Sequence, residues 1–435
     1  MPSIGSPFDT IVAPITGAGP AAVAAVRISG PEAFAIAAKV FSPFDAPEPM
    51  RARYGKFYHG DDGLALPFAA GHSYTGDETV ELFVHGSPVS VRLLIEGCLA
   101  AGARLAEPGE FTQRAFLNGR IDLAQAESVA ETIAAQSEAH FRRATENLSG
   151  ALSREIRALR EAALTELAHL EASVDFSEEI GEYDLSRAKD MFSQGYGVLG
   201  RLLESARGSR ILRSGFRVSL AGRPNVGKSS LLNALLRSDR AIVTEIPGTT
   251  RDVIREAIEI EGVQVILSDT AGLRDTADAV EEIGISRTGE EIASADLTFY
   301  LYDGSIGWTP EDERWCPTES VWRIATKCDL PTFQPTDDRR LSTVTGEGIP
   351  EILAELARML EELTPPILIT DRHREHLMAA EGFALEGLTV SCLVTTPDLV
   401  SVCLNEYINA LGKISGETSG PDMLTEIFSR FCLGK

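Results

Sequence analysis

The stretch VSLAGRPNVGKSSLLNAL, from Val218 to Leu235, runs from an apolar segment through a glycine-containing loop into a helical pattern. It matches the pattern G-x-x-x-x-G-K-S, with Gly222, Gly227, Lys228 and Ser229 at the defined positions. In such a loop the glycines let backbone N–H groups turn toward phosphate oxygens. The lysine reaches the β and γ phosphates, and the serine hydroxyl can bind magnesium. The stretch therefore predicts a phosphate-binding strand, loop and helix.

The sequence around this loop predicts an α/β domain. Between Phe216 and about Thr370, β-like runs alternate with helical stretches, which is typical of a mostly parallel, doubly wound sheet. The runs are FRVSLAG, VIREAIEI, VQVILSDT, LTFYLYD and VWRIATK. Glu261 and Gly262 separate two of them, as in a tight hairpin, so we expect an antiparallel edge.

The segments on either side of this domain have different sequence patterns. Short β-like runs (TIVAPI, AAVAAVRIS, TVELFVHG) and a helix-like stretch from Pro31 to Val40 come first. Helical spacing follows in two segments, one on each side of the α/β part. One stripe, which predicts core packing or a dimer seam, comprises Leu152, Ile156, Leu159, Ala163, Leu167, Leu170 and Val174.

We therefore predict a multidomain protein in which an α/β P-loop GTPase domain is inserted into an α-helical domain, preceded by an α+β domain. Such insertions are tolerated when the termini of the inserted domain lie close together. The predicted boundaries are 1–118 for the α+β domain, 119–213 and 372–435 for the helical domain, and 214–371 for the GTPase domain.

The composition limits the possible environments and partners. Forty Lys and Arg face 64 Asp and Glu, a formal charge of −24, which disfavours autonomous binding to nucleic acid. The six cysteines form no CxxC pair, as expected in a reducing cytosol. With no signal-like start and no long apolar run, we expect a soluble, cytoplasmic protein without membrane contact.

Three further motifs follow the order found in GTP-binding proteins. Thr250, in PGTTRD, can complete magnesium coordination, and Asp269 opens the motif DTAG, whose Gly272 amide can meet a γ phosphate. Asp329, in TKCD, can accept both N1–H and the 2-amino group of guanine, which selects GTP over ATP. Ser342, Thr343 and Val344 match the loop that closes over the base.

Two positions differ from the usual GTPase pattern. Thr326 stands where the guanine motif normally has Asn; a hydroxyl has one donor where the amide has two, so we expect weaker guanine binding. Leu273 follows Gly272 where many GTPases have a glutamine that orients water. Because leucine cannot do this, another polar group and another positive charge are needed; Glu281 and Glu282 are the candidates.

The phosphate loop, PGTTRD, and DTAGLR followed by VEEIGI together resemble the tRNA modification GTPase family MnmE, also called TrmE. The resemblance places the water-orienting role on Glu281. It also implies potassium in place of an arginine finger, held by Asn225, Thr244, Ile246 and Thr249. A loop-stabilising role is the less favoured alternative for Asn225. The implied magnesium ligands are Ser229 and Thr250. The implied GTP-binding residues are Asn225, Val226, Gly227, Lys228, Ser229, Ser230, Thr244, Glu245, Ile246, Pro247, Gly248, Thr249, Thr250, Asp269, Thr270, Ala271, Gly272, Thr326, Lys327, Asp329, Ser342, Thr343 and Val344, with Lys228 also catalytic.

The resemblance extends to both flanks. DTIVAPITGAGPAAVAAVRISGPEA, SYTGDETVELFVHG and EPGEFTQRAFLNGRIDLAQAESVAETI are similar to the family's folate-binding module. This implies a tetrahydrofolate site, for the 5-formyl or 5,10-methylene form, at Arg27, Glu81, Arg120 and Lys435; without the resemblance these charges read as solvated surface groups. The family usually has Lys at the position of Arg120. The tail FCLGK resembles the family's terminal motif and places Cys432 at its reactive position.

The resemblance implies a homodimeric, potassium-activated GTPase. It would work with the flavoprotein MnmG, in a heterotetramer or larger complex, to form a C5 aminomethyl-type group on wobble uridine. The tRNA would be held mainly by the partner. One alternative stays open, an Era-like switch in ribosome assembly. A one-carbon enzyme with an incidental GTPase domain would not explain the insertion of that domain between helices. The helical tail lacks the basic G-x-x-G clamp that grips an RNA backbone, which argues against the Era-like alternative.

Overall fold

The computed structural model describes residues 9–45, 48–237, 242–244, 255–269, 294–393, 397–432 and 434–435. The chain divides into two compact units. The first comprises 1–130, 147–197 and 375–435, and the second comprises 131–146 and 198–374. None of the helices in the described ranges is both long and apolar enough to cross a membrane.

The first unit begins with a seven-stranded sheet and three helices. The strands are β1 (Ile11–Pro14), β2 (Val23–Ser29), β3 (Phe41–Ser42), β4 (Arg53–Phe57), β5 (Asp62–Phe68), β6 (Thr79–His85) and β7 (Arg104–Leu105), and the helices are α1 (Ala33–Val40), α2 (Pro88–Ala100) and α3 (Glu110–Leu117). The sheet order is β3-β4-β5-β6-β2-β1-β7, antiparallel except for the parallel pair β1 and β7. Buried Ile36 of α1 and Leu94 of α2 join Val26 and Ile28 of β2 in one apolar core.

Five helices follow: α4 (Leu123–Ala134), α5 (Glu138–Leu148), α6 (Ala151–Asp175), α7 (Ser177–Ile180) and α8 (Leu185–Ser214). The stripe predicted on α6 is buried at Leu152, Ile156, Ala163 and Leu170. Val174, the last residue of the stripe, is 50% exposed, and the choice between core packing and a dimer seam stays open there.

The second unit contains the predicted doubly wound sheet. Its elements are β8 (Phe216–Gly222), α9 (Lys228–Leu236), β9 (Ile242–Thr244), β10 (Arg255–Ile260), β11 (Val263–Asp269), β12 (Leu297–Asp303), α10 (Pro310–Trp315), β13 (Val321–Thr326), β14 (Arg339–Arg340) and α11 (Ile349–Leu363). The order is β14-β13-β12-β8-β11-β10-β9, with β9 and β10 antiparallel at one edge. Glu261 and Gly262 both have positive φ, as a two-residue hairpin requires, and this confirms the predicted turn.

The chain ends with three helices, α12 (Asp371–Cys392), α13 (Pro397–Ser415) and α14 (Pro421–Ser429). In the first unit α13 packs along α6, and Phe428 and Phe431 join Leu123 and Val129 in a separate small core. This small core fixes the tail within the first unit. Helical segments thus precede and follow the α/β part, so the predicted fold class is confirmed.

Candidate active site

The phosphate loop lies between the central strand β8 and helix α9. Gly222 and Gly227 both adopt positive φ, at +135° and +104°. A Cβ on Gly222 would lie 2.1 Å from the carbonyl oxygen of Leu301 in the neighbouring strand β12, so only glycine fits there. Asn225 also has positive φ, +63°, which asparagine tolerates better than most residues. These conformations turn the backbone of the loop ahead of the N-terminus of α9, where anions bind.

The ammonium of Lys228 is held inside this loop. Its Nζ donates to the carbonyl oxygens of Gly222, at 2.8 Å, and Arg223, at 2.9 Å, and the residue is only 7% exposed. Ser229 and Ser230 lie exposed in the first turn of α9. The lysine is therefore already at the loop, and the predicted contacts with phosphates would require its ammonium to leave these two carbonyl oxygens.

Thr326 is buried beneath the phosphate loop. Its Oγ1 lies 2.8 Å from the carbonyl oxygen of Val226 and 3.0 Å from that of Tyr302. A hydroxyl has one hydrogen, so it serves one of these acceptors at a time and has no second donor for a base. Thr326 thus joins the end of β13 to the loop, which is a structural contribution to the site; its contact with guanine stays a prediction.

Lys327 follows with φ of +63° and pairs with Asp303, its Nζ lying 2.5 Å from Oδ2. Burial favours the neutral acid, but hydrogen bonds from Lys327 and Ser305 outweigh it and hold the pKa of Asp303 below its ordinary value. Because the pKa is lowered, Asp303 stays charged at neutral pH, and the stabilisation from this ion pair is lost only as acid protonates the carboxylate. The pair fixes the backbone at which the predicted guanine loop begins.

The remaining described residues of the base site are exposed or turn-forming. Ser342 is fully buried, and its Oγ accepts from the backbone N–H groups of Val344 and Thr345. This bends the loop and leaves Val344 84% exposed. Asp329 is also exposed, so its carboxylate is open to an incoming base.

Several predicted residues lie outside the described part of the chain. They are Glu245, Ile246, Pro247, Gly248, Thr249, Thr250, Thr270, Ala271, Gly272 and Glu281, and their roles stay predictions. Thr244 ends β9, and Asp269 ends β11 beside the phosphate-loop strand β8. Thr343 precedes Val344 in the turn described above.

A second polar cluster lies in the first unit, on the N-terminal sheet. Arg27 and Glu81 are register partners on β2 and β6, and two nitrogens of Arg27, Nε and Nη2, donate to Oε1 of Glu81 at 3.0 and 2.7 Å. The guanidinium carbon lies 4.8 Å from the ring centroid of Tyr74 and 5.3 Å from that of Phe111. The third nitrogen, Nη1, is buried and has no hydrogen-bond partner among the described residues. This donor is available to a ligand.

Lys435 belongs to the same cluster. Burial and the neighbouring Arg27 guanidinium lower the pKa of its ammonium, while Glu81 and Cys432 act in the opposite direction. Cys432 is exposed, and its backbone carbonyl accepts from Gly109 and Lys435. The structure thus brings together three of the four predicted folate residues.

Arg120 has other partners within the first unit. Its Nη1 donates to the carbonyl oxygen of Gly71, 2.9 Å away, in the loop that also carries Tyr74. Together with Phe116, Asp122 and Arg157 it lines a pocket of about 370 Å³. A contact between Arg120 and a folate stays a prediction.

Sequence reasoning missed residues that support both sites. Tyr74 and Phe111 flank Arg27, and Asp303 holds Lys327. Only the three-dimensional structure brings these residues together. Asp312 had a local signal, because TPED at 309–312 is typical of a helix start.

A glycine-containing loop between a parallel strand and a helix, with an internal lysine and a guanine-type motif at the end of β13 in the same sheet, defines a P-loop GTPase. Two family models match the chain: the GTP-binding protein TrmE N-terminus at residues 10–120 and the MnmE helical domain at residues 123–432. The chain belongs to the tRNA modification GTPase MnmE family, and it is a GTP hydrolase.

Curated relatives match along the whole chain. The tRNA modification GTPases MnmE of Symbiobacterium thermophilum and Chloroflexus aurantiacus are each 42% identical, over 98% of this chain and 99% and 100% of those proteins. The MnmE of Heliobacterium modesticaldum is 40% identical over 98% of this chain and 99% of that protein. Among solved structures, the G domain of the T. maritima FeoB iron transporter is similar at 27% identity, covering 34% of this chain and 98% of that chain, with a TM-score of 0.24.

The buried hydroxyl of Thr326 generates a prediction about the phosphate loop. Thr326→Val keeps the shape but leaves the carbonyl of Val226 without its donor, so the Kd for GDP should rise about tenfold. Fluorescence titration with a labelled GDP measures this. Thr326→Ser retains the hydroxyl and is the matched control. Equal affinities for the Val and Ser variants would contradict the role of this hydrogen bond.

Proposed function

We propose that this protein is a potassium-activated GTPase that, together with the flavoprotein MnmG, takes part in forming a C5 (carboxymethyl)aminomethyl group on the wobble uridine of certain tRNAs. A tetrahydrofolate supplies the one-carbon unit. The observation that carries the proposal is similarity along the whole chain to proteins named tRNA modification GTPase. The N-terminal match at residues 10–120 favours this function over an assembly switch that has only the GTPase motifs.

The residues of the N-terminal cluster fit a folate. A pterin carries amide-like donors and acceptors, which a carboxylate such as Glu81 can pair, and arginine suits a carboxylate tail. The buried Nη1 of Arg27 lacks a partner among the described residues, and such a donor costs free energy until a ligand meets it. Only Oε1 of Glu81 is used by Arg27 in the bonds described, so Oε2 can accept from a ligand. We infer that Arg27, Glu81 and Lys435 bind the folate and that Arg120 contacts it from the loop side.

In the GTPase site each residue has a defined task. Lys228 would leave the carbonyls of Gly222 and Arg223 and bind the β and γ phosphates, while Ser229 and Thr250 would hold magnesium. Asn225 projects from an exposed part of the loop, and oxygen ligands of this kind suit a hard monovalent cation. Potassium, when bound, supplies the positive charge that other GTPases take from an arginine. We propose that Thr244, Ile246 and Thr249 complete its site and that Glu281 orients the attacking water.

The two sites would be linked by the GTP cycle. We propose a homodimer in the cytoplasm whose nucleotide domains meet when triphosphate is bound and separate after hydrolysis. The net charge of −24 fits an arrangement in which MnmG holds most of the tRNA. Cys432, exposed and close enough to Lys435 to affect its pKa, is the proposed reactive group near the one-carbon unit.

The folate site is tested by calorimetric titration with 5-formyltetrahydrofolate. Glu81→Gln removes the charge that faces Arg27 and the ligand, so affinity should fall at least about tenfold. Arg51→Gln is the matched control, since Arg51 forms an exposed ion pair with Glu48 in the same domain. Wild-type heat in the Glu81 variant, or no heat with the unaltered protein, would remove this site from the proposal.

The potassium site is tested by the rate of GTP hydrolysis in two salts. Replacing potassium chloride with sodium chloride should lower kcat about tenfold or more. The proposed site is suited to the larger potassium ion, and this ion supplies positive charge that stabilises the transition state. In Asn225→Ala the rate in potassium should fall to the sodium rate. Equal rates in both salts with the unaltered protein would show that the charge comes from elsewhere.

The biological role is tested by nucleoside mass spectrometry in bacteria that lack their own MnmE. The unaltered chain should restore the C5 modification of wobble uridine, and Lys228→Ala should not, because it cannot bind the phosphates. Arg51→Gln should restore it fully. Unmodified uridine in cells that contain the unaltered, GTP-hydrolysing protein would favour the assembly switch.

A further inference from the structure

Asp312 is a fully buried carboxylate in the first turn of α10, within the second unit. A buried charge costs several kcal/mol unless it is paired and hydrogen-bonded. Asp312 therefore needs hydrogen-bonding and charged partners, and these partners indicate the role of the buried charge.

One carboxylate oxygen of Asp312 serves its own helix. Oδ2 accepts from the backbone N–H of Thr309, at 3.0 Å, and from its Oγ1, at 2.6 Å, while the N–H of Asp312 donates back to that hydroxyl. This is a capping box, in which a neutral Gln or Asn can also serve as the acceptor. The cap alone does not require a charge.

The other oxygen, Oδ1, faces the phosphate loop. It accepts from Nε of Arg223, at 2.9 Å, and from the hydroxyl of Tyr300, at 3.3 Å. Burial and the carboxylate of Asp312 raise the pKa of Tyr300, so this phenol remains a neutral donor. The ion pair with Arg223 therefore accounts for the buried charge.

Arg223 is the first residue after Gly222 in the phosphate loop, and its backbone and its side chain have different partners. Its backbone carbonyl accepts from Lys228 Nζ, and its side chain runs to Asp312. Its side chain is 21% exposed, whereas the carboxylate it meets is 0% exposed. The position of the carbonyl that holds the P-loop lysine thus depends on an anchor 89 residues away in sequence.

We propose that Asp312 is a positioning residue for nucleotide binding, acting through Arg223. The ion pair holds the beginning of the phosphate loop in its binding conformation before any nucleotide arrives, which reduces the free energy that ordering the loop would cost. GTP and GDP both contact this loop, so both should lose affinity when the pair is broken. Guanine selection, which is predicted to depend on Asp329 after β13, should not change.

The test measures labelled GDP and GTP binding and steady-state GTP hydrolysis in the full chain. Asp312→Asn should raise the Kd for GDP about tenfold, equivalent to about 1.4 kcal/mol, and raise KM with kcat within about twofold of the unaltered protein. Asn keeps an oxygen for the cap, so the fold should persist. Arg223→Gln should have a similar effect, and the double variant should bind no more weakly than the weaker single variant.

Arg339→Gln is the matched control, because it breaks another ion pair of the same unit, with Glu355, and should leave GDP binding unchanged. Arg223→Lys keeps a cation opposite Asp312 and should recover part of the affinity lost in Arg223→Gln; it decides the matter if Asp312→Asn does not fold. A merely structural role for Asp312 would lower the melting temperature without changing KM. That result would overturn the proposal. Additive effects of Asp312→Asn and Arg223→Gln in the double variant would also overturn it, as would equal GDP affinities of Arg223→Lys and Arg223→Gln.

Discussion

The close approach of strands β8 and β12 at Gly222 is the constraint on which the GTPase site depends. The backbone oxygen of Leu301 occupies the space that any side chain at this position would need. Because the two strands are in contact there, the chain leaves β8 at a sharp angle with φ of +135° and enters the phosphate loop. The other contacts of the loop, from Thr326 below and Asp312 at the side, hold a turn that this approach has already started.

The N-terminal sheet solves a different physical problem. Arg27 is buried between two aromatic rings with one nitrogen unpaired among the described residues, an arrangement that folding alone does not favour. Glu81 compensates for part of this cost from the adjacent strand. Ligand sites commonly contain polar groups that lack some of their hydrogen bonds although the surrounding domain is well packed. Here the strands that form the core also set the positions of Arg27 and Glu81.

The sequence was sufficient wherever a local pattern determines the structure. The loop from Gly222 to Ser229, the hairpin at Glu261 and Gly262, and the fold class followed from spacing, glycine positions and alternating elements. Contacts between distant residues were not predictable in this way. Thr326 was expected to weaken base binding, but its hydrogen bond to Val226 joins residues 100 positions apart. TPED at 309–312 predicts a helix start, yet nothing in it indicates that Asp312 reaches Arg223.

The buried position of Lys228 has a consequence for which ligands the loop accepts. Its ammonium already has two oxygen partners of its own chain, so any ligand competes with the protein itself. A single oxyanion, such as a sulfate or a lone phosphate, offers the lysine one set of oxygens in exchange for the two carbonyl contacts that it gives up. A chain of adjacent phosphates offers more oxygens and a larger total negative charge, which shifts this exchange in its favour. If Lys228 binds the phosphates as predicted, this exchange would make the loop favour ligands with longer phosphate chains, whatever base they carry.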